Sequence, residues 1–310
     1  KSAAILGIAL GLAFSICFAT GLLSHLIQQP PGWFRWPTRP AGLYRITQGL
    51  HVITGVVSIP LLLAKLSLVF PKLFQWPPAA SVAEGLERLA LLPLVGGSVF
   101  MLVSGTANVA RWYPWTFFFP AAHYAVAWVT IGALIIHLGS KWAVVRFELG
   151  RGSDDPASAE TSAAAQDRRA LLGGVAASAA VMFLATAGNT IRPLSWVAGL
   201  AQRRPGVGPQ GVPVNKSAAG AKVTEAATDP AYRLTVTGAD GDRSFTLDEL
   251  RALRRRTAEL PIACVEGWST SATWTGVAVR DLLAEAGYHS VESATVESLQ
   301  VTGLYRSSIL

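Results

Sequence analysis

Apolar residues fall in five long runs along the first two-thirds of the chain, at approximately residues 3–27, 46–69, 86–109, 121–145 and 170–191. Each is long enough for a bilayer-spanning helix, which takes about 20 residues. The first is too long for a signal peptide and passes into Trp/Pro-rich sequence with no small-residue cleavage site. A polar Ser/Ala/Asp-rich segment, 151–167, precedes the fifth. After it, a Gly/Pro/Ala-rich linker leads into sequence with a different rhythm. Residues 232–237 alternate like a strand, Gly238-Ala239-Asp240-Gly241 reads as a turn, and Ser244-Phe245-Thr246 resumes extended chain. A short helix is expected over 247–256, carrying Leu250 and Leu253, then a strand over 261–264. A helix over 277–286 closed by Gly287 and a strand over 294–298 complete the pattern.

The expected fold class is an all-α membrane bundle of five transmembrane helices followed by a small α+β domain. The expected division is 1–150 for a four-helix membrane domain, 151–167 for a cytoplasmic linker, and 168–191 for the fifth transmembrane helix. A second linker, 192–228, then leads to an extracytoplasmic domain over 229–310. Residues 304–310 read as the middle of a domain, so that domain is expected to be truncated and to continue in the natural protein.

Composition supports this division. Charged residues make up 15% of the chain and hydrophobic ones 51%, whereas soluble chains carry about 25% charged residues. A wholly soluble protein is excluded. The net charge of +7 lies entirely in residues 1–150, which hold ten Lys/Arg and three Asp/Glu; residues 151–310 hold sixteen of each. Sparse charge split among short loops is not a nucleic-acid surface, and no nucleic-acid partner is expected. It is instead a topology signal. Nine basic residues fall on the side holding the N-terminus: Lys1, Lys65, Lys72, Arg88, Lys141, Arg146, Arg151, Arg168 and Arg169. Four fall on the other side: Arg35, Arg39, Arg45 and Arg111. A multi-pass protein of the plasma membrane is expected, with a cytoplasmic N-terminus and everything after the fifth helix outside. Trp33, Trp36, Trp112 and Trp115 near one interface, and Trp76 and Trp142 near the other, suit aromatic belts in contact with lipid. Arg168-Arg169 reads equally as two positive-inside residues or as an embedded twin-arginine export signal.

Four of the five histidines, His25, His51, His123 and His137, lie in or at the apolar runs. Imidazole is costly in hydrocarbon unless paired, so each is a candidate functional residue. His123 and His137 are fourteen residues apart; at about 100° and 1.5 Å per residue they share a face to within ~40° and are separated by ~21 Å. That spacing suits two haems stacked across a membrane, with ring nitrogens as axial ligands. His25, His51 and His123 lie toward the outer face and His137 toward the cytoplasmic one. The expected outer pair is His51 with His123, with His25 as a substitute partner. A second haem at His137 needs a non-His ligand or another helix register. Residues 1–147 resemble bacterial di-haem cytochrome b membrane subunits, which share a four-helix bundle with two histidines at this separation on the fourth helix. The resemblance implies haem b. His25 departs from that pattern, standing at the end of its helix rather than the start.

The chain has two cysteines. Cys17 lies within the first apolar run, where a small core residue is the ordinary reading. Cys264 is the single cysteine of the polar half. It could await a partner, remain a thiol, or ligate a transition metal as a soft thiolate. A strand delivers it to Cys264-Val265-Glu266-Gly267-Trp268-Ser269, followed by Trp274-Thr275-Gly276-Val277 and the pair Leu282-Leu283. These motifs resemble the molybdopterin-binding domain of the sulfite-oxidase superfamily, above all the bacterial periplasmic methionine-sulfoxide reductase catalytic subunits, over residues 232–310. The resemblance implies that Cys264 is the protein thiolate on molybdenum, with molybdopterin as cofactor and catalysis centred there. Trp268 and Trp274 are read as packing around that site. Arg254-Arg255-Arg256 is read as a solvated helix end.

Together these features imply a membrane-bound, molybdenum-dependent oxidoreductase engaged in electron transport. Its partners would be a quinol or quinone and a small-molecule or protein-bound oxo-substrate, possibly a sulfoxide. The alternatives are a haem b electron-transfer subunit with a non-catalytic outer domain, or a haem-free membrane anchor carrying a binding module.

Overall fold

The structure, a computed structural model, describes residues 2–37, 39–73, 76, 81–110, 112, 114–150, 162–188, 190–200, 208–214, 216–238, 241–264, 269–301 and 306–309. Five long helices come first: α1 (Ser2–Gln28), α2 (Leu43–Leu73), α3 (Val82–Val109), α4 (Phe119–Gly150) and α5 (Ser162–Ala187). All five are long and apolar enough to cross a membrane. Helix α1 packs chiefly on α2, α3 on α4, and α5 on α2.

Small and hydroxylated residues make these contacts. Ser58, Ser98, Ser104 and Thr130 are buried between helices. A Cβ at Gly97 of α3 would overlap the Thr130 hydroxyl of α4, so this pair approaches more closely than larger side chains would permit. Ser15, Thr20, Thr54, Ser58, Thr130 and Thr186 each donate to the carbonyl four residues back, which satisfies the hydroxyl inside its own helix. Exposed Leu, Ile, Val and Phe cover the outer faces, the distribution of a bundle whose solvent is hydrocarbon.

The fifth helix differs from its expected limits of 170–191. It begins at Ser162, because Ser-Ala-Ala-Ala-Gln favours helix ahead of Asp167. It ends at Ala187, where the Thr190 and Ile191 amides fold back onto the Ala187 carbonyl ahead of Pro193. Arg168 and Arg169 therefore lie inside the helix. Of the thirteen basic residues of the expected topology, Lys1, Arg111 and Arg151 lie outside the described residues, as does 151–161 of the expected linker.

The chain divides into two compact units, residues 1–203 with 263–269, and 204–262 with 270–310. The second contains α6 (Thr224–Thr228), β1 (Leu234–Gly238), β2 (Gly241–Phe245), α7 (Leu247–Ala252), most of β3 (Arg255–Ala263) and β4 (Ser269–Val277), α8 (Val279–Glu285), β5 (Thr295–Glu297) and β6 (Ser307–Ile309). The strands pair as β1–β2, β3–β4 and β5–β6. The first and last pairs are antiparallel, with Leu234 opposite Phe245 and Thr295 opposite Ile309. The turn residues Ala239 and Asp240 lie outside the described residues. Gly287 follows α8 with φ +94°, a left-handed conformation that favours glycine.

Helix α7 stops at Ala252 rather than at Arg256. Leu253 is extended, with ψ 157°, and Arg255 and Arg256 already belong to β3. Pairing with β4, reinforced by a 2.9 Å Thr257–Thr275 hydroxyl contact, wins over the local helical pattern. The arginine run is therefore not a helix end. Arg256 forms an ion pair with Asp281 of α8 at 3.0 Å.

Candidate functional site

Helices α2 and α4 bring His51 and His123 together, with ring centres 6.2 Å apart and planes at 73°. His51 Nδ1 is 2.9 Å from the Cys17 carbonyl of α1 and 3.5 Å from Thr20 Oγ1. A bond to that carbonyl requires the proton on Nδ1, which leaves Nε2 with the lone pair. His123 Nδ1 is 3.3 Å from Ser104 Oγ of α3, and Phe119 packs against its ring at 4.9 Å.

The two histidines are held in matching ways. Helix α1 presents Gly21 to His51, where a Cβ would lie 2.9 Å from the ring Cε1; α3 presents Gly105 to His123, where it would lie 3.5 Å away. Each ring thus sits in a notch on a neighbouring helix, with Nδ1 bonded at its wall. An imidazole nitrogen binds a metal at about 2 Å and the ring centre lies roughly 1 Å beyond, so one ion held axially between two imidazoles sets the ring centres about 6 Å apart. The observed separation of 6.2 Å matches that distance.

Cys17 does more than fill space. Its thiol donates to the His51 carbonyl at 3.2 Å and accepts from Thr54 Oγ1 at 3.4 Å. A two-way link between Cys17 and His51 therefore joins α1 to α2. Reading Cys17 as a small core residue missed this link, and sequence alone offered no signal for Ser104 either.

His25 is placed elsewhere. Its ring stacks on Tyr124 at 3.8 Å and 11°. His137 lies near the opposite end of α4, within electrostatic reach of Lys141, Lys65 and Glu87. Glu87 forms an ion pair with Lys141, and Lys65 Nζ donates to the Ala3 carbonyl at 2.6 Å.

Cys264 stands directly after β3, half-buried, and neither it nor Cys17 forms a disulfide. Val265, Glu266, Gly267 and Trp268 of its motif, and Tyr305 further on, lie outside the described residues. Ser269, which ends the motif and opens β4, is buried, and Arg45 N–H donates to its hydroxyl at 3.2 Å. Trp274 is 48% exposed rather than packed. Among the described residues no three or more His, Cys, Asp or Glu converge as a metal cage. The side chains that could take part in metal binding include the Cys264 thiol and the neighbouring imidazoles of His51 and His123.

Residues 221–309 match the family model described as the oxidoreductase molybdopterin binding domain. The matched segment begins ahead of α6 and contains Cys264. The chain matches no curated protein and no solved structure. Five helices long and apolar enough to cross a membrane therefore precede a segment that matches the oxidoreductase molybdopterin binding domain.

Proposed function

We propose that this chain is a membrane-bound, molybdenum-dependent oxidoreductase with its own b-type cytochrome. It exchanges electrons between a quinol or quinone in the bilayer and an extracytoplasmic molybdenum site, where an oxo-substrate such as a sulfoxide is reduced. The observation that supports the reading is the close approach of His51 and His123, in the same polypeptide as a segment that matches a molybdopterin-binding oxidoreductase domain.

When bound, the molybdenum cofactor supplies two-electron oxygen-atom transfer and a haem supplies one-electron exchange. The protein provides ligation, orientation and exclusion of water. Cys264 holds the metal from the protein side as a soft thiolate. His51 and His123 offer Nε2 to the haem iron, with the Cys17 carbonyl and the Ser104 hydroxyl fixing ring orientation from α1 and α3. These contacts are part-buried among the helices. His25, stacked on Tyr124, and His137, beside charged partners, are outside this pair, so the reading assigns one haem. The excess of basic residues in the inner segments supports a cytoplasmic N-terminus. Five crossings then carry residues 221–309 to the outer side.

Metal analysis and reduced-minus-oxidised spectra of the purified full-length protein test the proposal. Stoichiometric molybdenum and b-type haem bands are expected. Absence of molybdenum would leave an electron-transfer subunit with a non-catalytic outer domain; absence of the haem bands would remove the cytochrome.

A further inference from the structure

The first compact unit takes in residues 263–269 together with the helices, so the cysteine motif is partly built into the bundle. The joint lies at the first turn of α2. The first amides of a helix have no partner inside it, and the Arg45 N–H there donates to the Ser269 hydroxyl at 3.2 Å. Ser269 is itself only 4% exposed. Beside Arg45 stands Tyr44, at 2% exposure the largest fully buried side chain among the described residues. Its hydroxyl is 2.8 Å from Ser24 Oγ and accepts from Gln28 Nε2 at 3.3 Å, both on α1. The Trp36 ring meets the Tyr44 ring edge-on at 6.5 Å and 76°. Cys264 lies within electrostatic reach of the Tyr44 hydroxyl.

Helical geometry connects Tyr44 to His51. Seven residues at about 100° each bring the two to one face of α2 within ~20°, some ~10 Å apart along its axis. Helix α1 repeats the connection. Its Cys17 and Gly21 meet His51, and its Ser24 and Gln28 meet Tyr44; spacings of four, three and four residues form one face. Tyr44 therefore lies on the seam between α1 and α2, with the cysteine segment at one end and His51 further along. Electron exchange through protein falls off exponentially with the gap between centres, so a residue that holds the gap short controls its rate.

We propose that Tyr44 is a positioning residue that seats the Cys264 segment at the start of α2 and fixes the gap electrons cross between the Cys264 and His51 sites. The inference rests on the reading above, in which each site holds a redox group, and adds the residue that joins them. Each crossing moves one electron from one group to the other with no bond made or broken, so Tyr44 is neither oxidised nor reduced.

Purified full-length protein in detergent tests this with two readouts. Hydrogen exchange reads the seat whatever groups are bound: Ser269→Ala should lower protection of the Arg45 amide about fivefold, the worth of one hydrogen bond. A laser flash on deazaflavin reads the gap, by placing one electron on the haem and following its loss from the reduced haem band to the molybdenum site. Tyr44→Leu should slow that loss about tenfold, as small misplacements of reacting partners do, with haem bands and molybdenum content unchanged. Tyr44→Phe keeps the ring, and Ser24 keeps its bond from Gln28 at 3.0 Å, so the rate should return close to that of wild type. Should Tyr44→Leu fail to fold, Ser269→Ala, on another segment, should slow the same step. Equal rates in wild type, Tyr44→Leu and Ser269→Ala overturn the proposal, as does unchanged exchange at Arg45 in Ser269→Ala. A rate that falls only in step with lost haem or molybdenum makes Tyr44 a folding residue and overturns it too. Wild type lacking haem bands or molybdenum leaves no centres to join; the underlying reading then fails, a result seen before any variant is made and distinct from the others.

Discussion

His51 and His123 each turn Nδ1 to a neighbouring helix, and the two contacts differ in kind. The Cys17 carbonyl is backbone and survives any side-chain substitution, whereas the Ser104 hydroxyl can be deleted. Under the proposed cytochrome reading, Ser104→Ala should therefore weaken haem retention about tenfold, the usual consequence of losing an outer partner of a metal-bound histidine. His123→Ala should remove the haem, and the haem-to-protein ratio measures both. Cys264→Ser replaces a soft thiolate by a hard hydroxyl; turnover should be lost while the haem bands persist, and surviving activity would show that Cys264 is no essential ligand. The proximity of His51 and His123 was legible in sequence because imidazole is costly where they stand. The Ser104 contact was not. A hydroxyl in a membrane helix is satisfied equally well by its own i−4 carbonyl, as Thr130 and Thr186 are, and only tertiary contact tells the two uses apart.

Long apolar helices declare themselves because each must present some twenty residues to lipid; short elements in the polar half are decided by pairing. Helix α7 shows the difference. Its start was readable from Leu247 onward and is fixed by a reciprocal capping box between Thr246 and Glu249. Its end was not, because Arg254–Arg256 would continue a helix were β4 not there to pair with them. The box also yields a test. Hydrogen bonds from the Thr246 amide and hydroxyl region hold the Glu249 carboxyl below its ordinary range. A carboxyl with a lowered folded pKa favours the folded state above its unfolded value, and that contribution fades as pH falls through the lowered value. Thr246→Ala should cost α7 about 1 kcal/mol, read as an approximately fivefold loss of amide-exchange protection over residues 247–252. Glu249→Gln should flatten the acid dependence of that protection. If protection in wild type were independent of pH down to strongly acid conditions, the carboxylate would have no part in holding the helix.

At the scale of the whole molecule, the distribution of charge and the number of helices make one prediction together. Residues 1–150 hold ten Lys/Arg against three Asp/Glu, while residues 151–310, which include the matched segment 221–309, hold sixteen of each. An odd number of crossings puts the two ends of the chain on opposite sides, whichever way the first helix enters. Under the proposed orientation, in which the bias of lysine and arginine marks the cytoplasmic side, the N-terminus is inside. Alkaline phosphatase, active only outside the cytoplasm, should therefore be active when fused after Leu310 or after Pro40 and inactive when fused after Lys72. A cytoplasmic fluorescent reporter should give the reverse. Equal activity after Lys72 and Leu310 would mean that one of the five helices does not cross, and the least buried and most recently begun of them, α5, would be the one to suspect. That result would put Cys264 and the His51–His123 pair on opposite faces and break the proposed exchange of electrons, while leaving both sites intact. The fusion series therefore tests the connection between the two centres separately from the chemistry of either.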